Sequence, residues 1–320
     1  MGNLNSSYAI KLSKFKSKLS IYSWSVFRAI LIIGLCTIIL YPLFTKVAVS
    51  FMTVEDIFDL SVRWIPRNFT LDNYRIALEW MNYSTVFLRT LTLVLIVSVL
   101  QLASSTFVGY GFARHEFKGR GILFALVILT LVVPPQMIMI PLFLNFRFFN
   151  IFGLIPEPGW NLLGSYWPFV LTSMTAMGMK NGLFIYIMRQ HFRGMPDTLE
   201  EAAYVDGAGS FRTFFQVMLP GAVPVMIIVF LFSFVWQWND IFYLFLYIRD
   251  AQGFLASSLA NFAEEFRRFS FYASISGVDD QYLSILENAG MVLFIAPVLV
   301  LYAFLQKYFI ESVSRTGIVG

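Results

Sequence analysis

Six stretches of this chain, 26–48, 87–110, 121–143, 166–188, 221–247 and 289–308, are long and apolar enough to cross a bilayer. A spanning α-helix needs about 20 largely apolar residues, and it must close its own backbone hydrogen bonds because lipid offers no partner. That constraint leaves an all-α membrane protein with six transmembrane helices as the expected fold. The composition agrees: 58% of residues are hydrophobic and 13% charged, against about 25% charged in ordinary soluble domains.

Lys11, Lys14, Lys16 and Lys18 precede the first stretch. With Arg28 they place the amino terminus in the cytoplasm by the positive-inside rule. A basic start before an apolar run is also the shape of a signal peptide. This run is longer than an ordinary signal core and lacks a small-x-small cleavage site, so it reads as a retained span. Alternation then puts the loop with Arg114, Lys118 and Arg120, the loop 189–220 and the carboxyl terminus on the cytoplasmic side. The outer loops, 51–86, 145–165 and 248–288, carry Arg63, Arg67, Arg75 and Arg147, so the lysines before the first span decide the orientation. The expected division is a basic segment 1–25, a six-helix domain 26–308 and a tail 309–320.

The formal charge of +4 is scattered among apolar segments and not gathered into a basic face, which argues against a nucleic-acid partner. Cys36 stands alone in an apolar run and reads as a packing residue. His115 and His191 are far apart and no Cys or carboxylate cluster joins them, so no metal is expected. The chain has no G-x-x-x-x-G-K-[ST] phosphate loop, which removes that cradle for ATP. No nucleophile and base pair stands in a plausible setting, so no enzymatic site and no bound cofactor are expected.

The polar loop 189–220 carries the most informative residues. In Met195-Pro196-Asp197-Thr198-Leu199-Glu200-Glu201, Asp197 reads as a helix cap with Glu200 as its capping-box partner. Gly207 falls where a left-handed helix end is wanted. Ser210 reads as the cap of a second short helix through Phe211, Phe214 and Phe215, which Pro220 closes. The expected element is a helix-turn-helix with a small face, Ala202 and Ala203, and an aromatic face. Such helices also suit a connector lying on lipid headgroups.

The motif E-A-A, three residues, G, nine residues, I-x-L-P is matched at Glu201, Ala202, Ala203, Gly207, Leu219 and Pro220, with Val217 in place of isoleucine. It resembles the permease subunits of binding-protein-dependent ATP-binding cassette importers. Asp206-Gly207-Ala208, Trp238-Asn239-Asp240, and Pro66 with Asn73-Tyr74 are similar to the carbohydrate-uptake branch, specifically its maltose-permease-type second subunit. Gly317-Ile318-Val319-Gly320 resembles that branch's terminal G-x-K-G, with Val319 where lysine is common. The resemblance implies a type I importer permease fold in a bacterial inner membrane. It implies four kinds of contact: a homologous second permease, two ATPase subunits that hold ATP and Mg, an external solute-binding protein, and lipid. The loop 189–220 would be the coupling element, with Glu201 paired to a basic residue of the ATPase and Gly207 making the tight turn.

Two ionisable residues lie in or beside apolar runs. Lys180, next to a break expected around Met179-Lys180-Asn181-Gly182, faces a translocation cavity, pairs with a carboxylate, or snorkels. Asp240, in Trp236-Gln237-Trp238-Asn239-Asp240, belongs either to an aromatic and amide patch that stacks on sugar rings or to helix-helix packing with a partner permease. Pro134-Pro135 is expected to kink the third span. The solute implied is a carbohydrate, an oligosaccharide first, with glycerol phosphate or a polyamine as alternatives. An ion-driven transporter would instead show inverted repeats and several intramembrane carboxylates.

Overall fold

The computed structural model describes residues 2–151, 153–248, 251–272 and 280–316, with side chains over 22–151, 153–248, 251–269 and 280–308. The terminal resemblance at Gly317 to Gly320 lies outside the described residues. Among them the regular structure is helical, with one isolated bridge between Phe149 and Trp160. In chain order the first helices are α1 (Gly2–Ser50), α2 (Val54–Phe58), α3 (Asp72–Trp80), α4 (Tyr83–Arg114) and α5 (Arg120–Val132). There follow α6 (Met139–Arg147), α7 (Trp167–Met174), α8 (Asn181–Gly194), α9 (Thr198–Val205), α10 (Ser210–Thr213) and α11 (Leu219–Trp238). The last are α12 (Phe242–Tyr247), α13 (Leu255–Tyr272) and α14 (Asp280–Thr316).

Two compact units emerge: 1–75 with 279–292, and 76–278 with 293–320. In the first, Tyr22–Ser50 is a continuous apolar helix, and none of its most apolar window is buried. Its end is closed by side chains from α3. The Asn73 amide donates to the carbonyls of Ser50 at 3.0 Å and Met52 at 2.9 Å, and the Tyr74 hydroxyl meets that of Ser50 at 2.6 Å. Asn73 thus satisfies a carbonyl that the helix end leaves open and a second one just beyond it, and Tyr74 holds the Ser50 hydroxyl. Asp56, buried, accepts from the Asn68 backbone N–H at 2.9 Å and the Asn68 amide at 3.0 Å.

The second unit is built on α4, against which α7, α8 and α11 pack. One apolar cluster joins Leu93 and Val97 to Phe146, Phe169 and Tyr247. Another gathers Tyr110, Phe184, Met188, Phe192, Phe214 and Met218. At Gly109 the backbones of α4 and α8 come close enough that a β-carbon would lie 2.6 Å from the Met188 Cβ.

Four helical stretches are uninterrupted and apolar enough to span: Tyr22–Ser50, Tyr83–Arg114, Ser210–Trp238 and Asp280–Tyr308. The remaining two expected spans are modified. Over 121–143, α5 and the following 3-10 turn and α6 bend by 102°. The cause is Pro134-Pro135: Pro135 drives Pro134 to an extended ψ of 135°, so the helix ends before it. Over 166–188 the expected helix is broken at 175–180, where Ala176 and Lys180 both take a left-handed φ of 61°. Side chains of α4 satisfy the opened backbone: Gln101 Nε2 donates to Met179 O at 3.0 Å and Ser104 Oγ to Ser173 O at 2.7 Å. The stretch 221–247 is also reset, because its helix begins earlier, at Ser210, and ends at Trp238.

Candidate functional site

The loop between α8 and α11 folds as two short helices, and Gly207 makes the turn between them. Its φ is +78°. The Gly207 N–H donates to Tyr204 O at 3.0 Å and the Ala208 N–H to Ala203 O at 2.9 Å, the paired bonds of a Schellman ending. A β-carbon at Gly207 would meet open space, so the penalty of substitution is conformational alone. Gly207→Ala is expected to cost about 1 kcal/mol or somewhat more, and Gly207→Asn less, because asparagine visits the left-handed region. Thermal unfolding of the two purified variants checks the order.

The start of α9 differs from the sequence reading. Asp197 has helical φ and ψ and makes no side-chain cap bond. Its carboxylate is taken by Arg114, which reaches from the end of α4. Glu200 is not a capping-box partner either. It accepts from the Tyr110 hydroxyl at 2.7 Å, and Arg114 Nε stands 3.4 Å from its other oxygen as an ion pair without hydrogen-bond geometry. Arg114 Nη2 also donates to Met195 O at 2.6 Å. A charged fork that donates to two acceptors and ion-pairs with a third group outcompetes a local cap. Arg114 and Tyr110 thereby tie α9 to α4. Their spacing of four puts them on one helix face, the sequence signal that would have marked them.

Around that strut the motif residues divide. Glu201, Ala202, Asp206 and Gly207 are exposed while Ala203 is buried, so the two alanines do not form one face; neighbours on a helix point about 100° apart. The aromatic residues split likewise. Phe214 is buried, with its ring 4.7 Å from that of Tyr110, whereas Phe211 is 79% exposed. The outward surface is Glu201, Ala202, Val205 and Phe211.

Ser210 is the first residue of α10 and not its cap; Gly209 holds that position. Pro220 does not close the second helix. The chain runs from α10 through a π-turn at Phe214–Met218 into α11, with Leu219 N–H bonded to Phe214 O. Pro220, exposed beside half-buried Leu219, sits in the first turn of α11, where its missing N–H and its ring are accommodated by the widened turn before it.

The second group of candidates separates as well. Lys180 Nζ lies 5.9 Å from the centre of the Trp236 ring. Trp236 is itself packed by Phe184 and Phe232, each at 5.7 Å. Trp238, in contrast, is 1% exposed, stacks on Phe234 at 5.5 Å and donates Nε1–H to Phe294 O at 3.1 Å. Asp240 is buried and accepts the Tyr243 N–H at 3.1 Å and the Gln237 amide at 3.4 Å, which organises the start of α12. Asn239 is exposed and donates to Val235 O at 2.7 Å. The structure therefore joins Lys180 to Trp236 and gives Trp238 and Asp240 local structural contacts.

Residues 105–315 match the family described as the binding-protein-dependent transport system inner membrane component. The probable ABC transporter permease protein YurM of Bacillus subtilis is 28% identical over 288 residues, 88% of this chain and 84% of that protein. The arabinooligosaccharides transport system permease protein AraQ of Halalkalibacterium halodurans is 28% identical over 288 residues, 88% of this chain and 92% of its own. A chain from the crystal structure of a bacterial ABC transporter involved in the import of the acidic polysaccharide alginate superposes with a TM-score of 0.70. It has 20% identity and covers 91% of this chain and 98% of that one, a likeness of fold. The match begins within α4, runs through Arg114 and the stretch from Glu201 to Pro220, and ends in α14; the chain belongs to the family of binding-protein-dependent transport system inner membrane components, with the type I ABC importer permease fold.

Proposed function

We propose that this permease subunit imports a carbohydrate, an oligosaccharide, handed to it by an external solute-binding protein and driven by ATP hydrolysed on two separate ATPase subunits with their Mg. A homologous second permease completes the pore. Both termini and the loop 189–220 face the cytoplasm, and the chain itself contributes no hydrolytic site. The observation that carries the coupling role is the outward edge of α9 and α10, held on α4 by Arg114. Val205 and Phe211, 88% and 79% exposed, suit an apolar cleft, and Glu201 offers a carboxylate to a basic residue there. Closure of the ATPases would push this edge, and the ion-paired strut would pass the movement to α4 as a rigid body. The carbohydrate assignment is supported by the arabinooligosaccharide permease and by the fold of the alginate importer.

Glu201→Ala is expected to reduce ATP-driven uptake into vesicles to background while the protein remains inserted. Glu201→Arg should in addition lose the ATPase, and only the ATPase, from the affinity-purified assembly. Wild-type uptake by Glu201→Ala would refute the coupling role.

A further inference from the structure

We propose that Lys180 is the cation that receives the carboxylate of an acidic saccharide midway through the membrane; that the solute is a saccharide rests on the function proposed above. The break at 175–180 is level with Gln101, whose amide holds Met179 O. Gln101 lies on α4 about 20 Å along the axis from Arg114, deep within a hydrocarbon layer about 30 Å thick. Unwound backbone is stable at that depth only where protein covers it or water reaches it.

One side of the break is covered: at Gly178 a β-carbon would lie 2.6 Å from Gln101 Nε2 and 2.9 Å from Asn181 Oδ1. The other side presents Met177, 78% exposed, and Lys180, also exposed. Among the described residues no carboxylate lies within ion-pair distance of Lys180. Among the described residues its ammonium meets the Trp236 ring, 5.9 Å away, and Phe184 and Phe232 hold that ring in place. A lysine at this depth cannot reach the headgroups by snorkelling. A cation left without a counter-ion inside a span marks a solute path. The chemistry that completes it is an anion, and an oligosaccharide that carries a carboxylate, as a uronate does, supplies one.

The test uses the assembled transporter with its partner subunits in proteoliposomes. In a Cys36→Ala background, which removes the chain's one thiol, Lys180→Cys is treated with a membrane-impermeant sulfonate thiol reagent, and Ile38→Cys on α1 is the lipid-side control. Cys at 180 is expected to react on the order of tenfold faster than Cys at 38. Uptake is then compared for neutral di- to pentasaccharides and for uronate-bearing ones. Lys180→Met should lower uptake of the acidic set by about tenfold or more relative to the neutral set, and Lys180→Arg should keep the wild-type ratio of the two. Equal reactivity at 180 and 38, or wild-type uptake of acidic saccharides by Lys180→Met, overturns the proposal. If the unmodified transporter takes up neutral saccharides alone, the acidic class is wrong and the carbohydrate function stands. If it takes up neither set, both are wrong.

Discussion

Arg114→Met is expected to abolish ATP-driven uptake while leaving the permease in the membrane. The Arg114 side chain is 7% exposed and that of Glu200 is 12% exposed, so methionine leaves a buried carboxylate with the Tyr110 hydroxyl as its remaining partner. Breaking a buried pair in this way costs about 3–5 kcal/mol, roughly two to four orders of magnitude in an equilibrium between seated and displaced α9. The Asp197 contact adds little, because that side chain is 79% exposed and water screens it. The loss falls on the attachment of α9 to α4, so uptake should drop on the order of a hundredfold at unchanged abundance. Arg114→Lys should be intermediate, since an ammonium keeps the charge but not the planar fork that donates to Asp197 and to the Met195 carbonyl. The double variant Arg114→Met/Glu200→Gln should recover part of the activity, because no charge is then stranded. Vesicle uptake normalised to membrane abundance decides it, and a wild-type rate in Arg114→Met would mean the strut transmits nothing.

What the sequence discloses and what it hides divide along a physical line. Features set by local backbone chemistry are legible. Pro134-Pro135 announces its own bend, and Gly207 announces the left-handed residue that ends α9. The number and order of apolar stretches follow from the cost of crossing lipid. Features set by a residue from another helix are not legible. The stretch 166–188 is apolar along most of its length, and what stabilises its break is Gln101 and Ser104 on α4, distant in sequence. Asp197 and Glu200 have the spacing of a capping box, yet Arg114 and Tyr110 claim both side chains.

The same division runs through the motif residues. Ala202 and Ala203 are adjacent in the motif but fall on opposite sides of the packing boundary. Pro220 reads as a terminator, whereas a π-turn upstream lets the helix pass through it. An aromatic and amide cluster such as Trp236 to Asp240 looks like a sugar platform in one dimension. Folded, Trp238 packs between aromatic rings and Asp240 holds backbone N–H groups, which leaves Trp236 with Lys180 as the part that still has a face to offer. Asn73-Tyr74, a bare pattern in the sequence, gains its reason from the carbonyls and hydroxyl at the end of α1.

Gly109→Leu is expected to have an effect as large as that of Arg114→Met, by a different route. A β-carbon at 109 would lie 2.6 Å from Met188 Cβ, 3.0 Å from Arg189 N and 3.2 Å from Met188 C. None of these atoms can swing aside without moving the backbone of α8. Even Gly109→Ala therefore forces the two helices apart, and overpacking of this kind costs about 1–3 kcal/mol, more for a leucine. The displacement passes directly to the start of α9, because α8 leads into Met195 and α4 carries the Arg114 that binds the Met195 carbonyl. Gly109→Leu should lose uptake and run as a broadened or lost peak in detergent gel filtration, whereas Gly109→Ala should keep its assembly with a lowered melting temperature. Gly111→Leu is the control: it lies on the same helix, two residues on, and a β-carbon there would have nothing within 4 Å. Its melting temperature and uptake should stay near wild type. Equal damage at 109 and 111 would show that leucine harms this helix by something other than the close contact with α8, and equal tolerance would show that the contact is soft enough to yield.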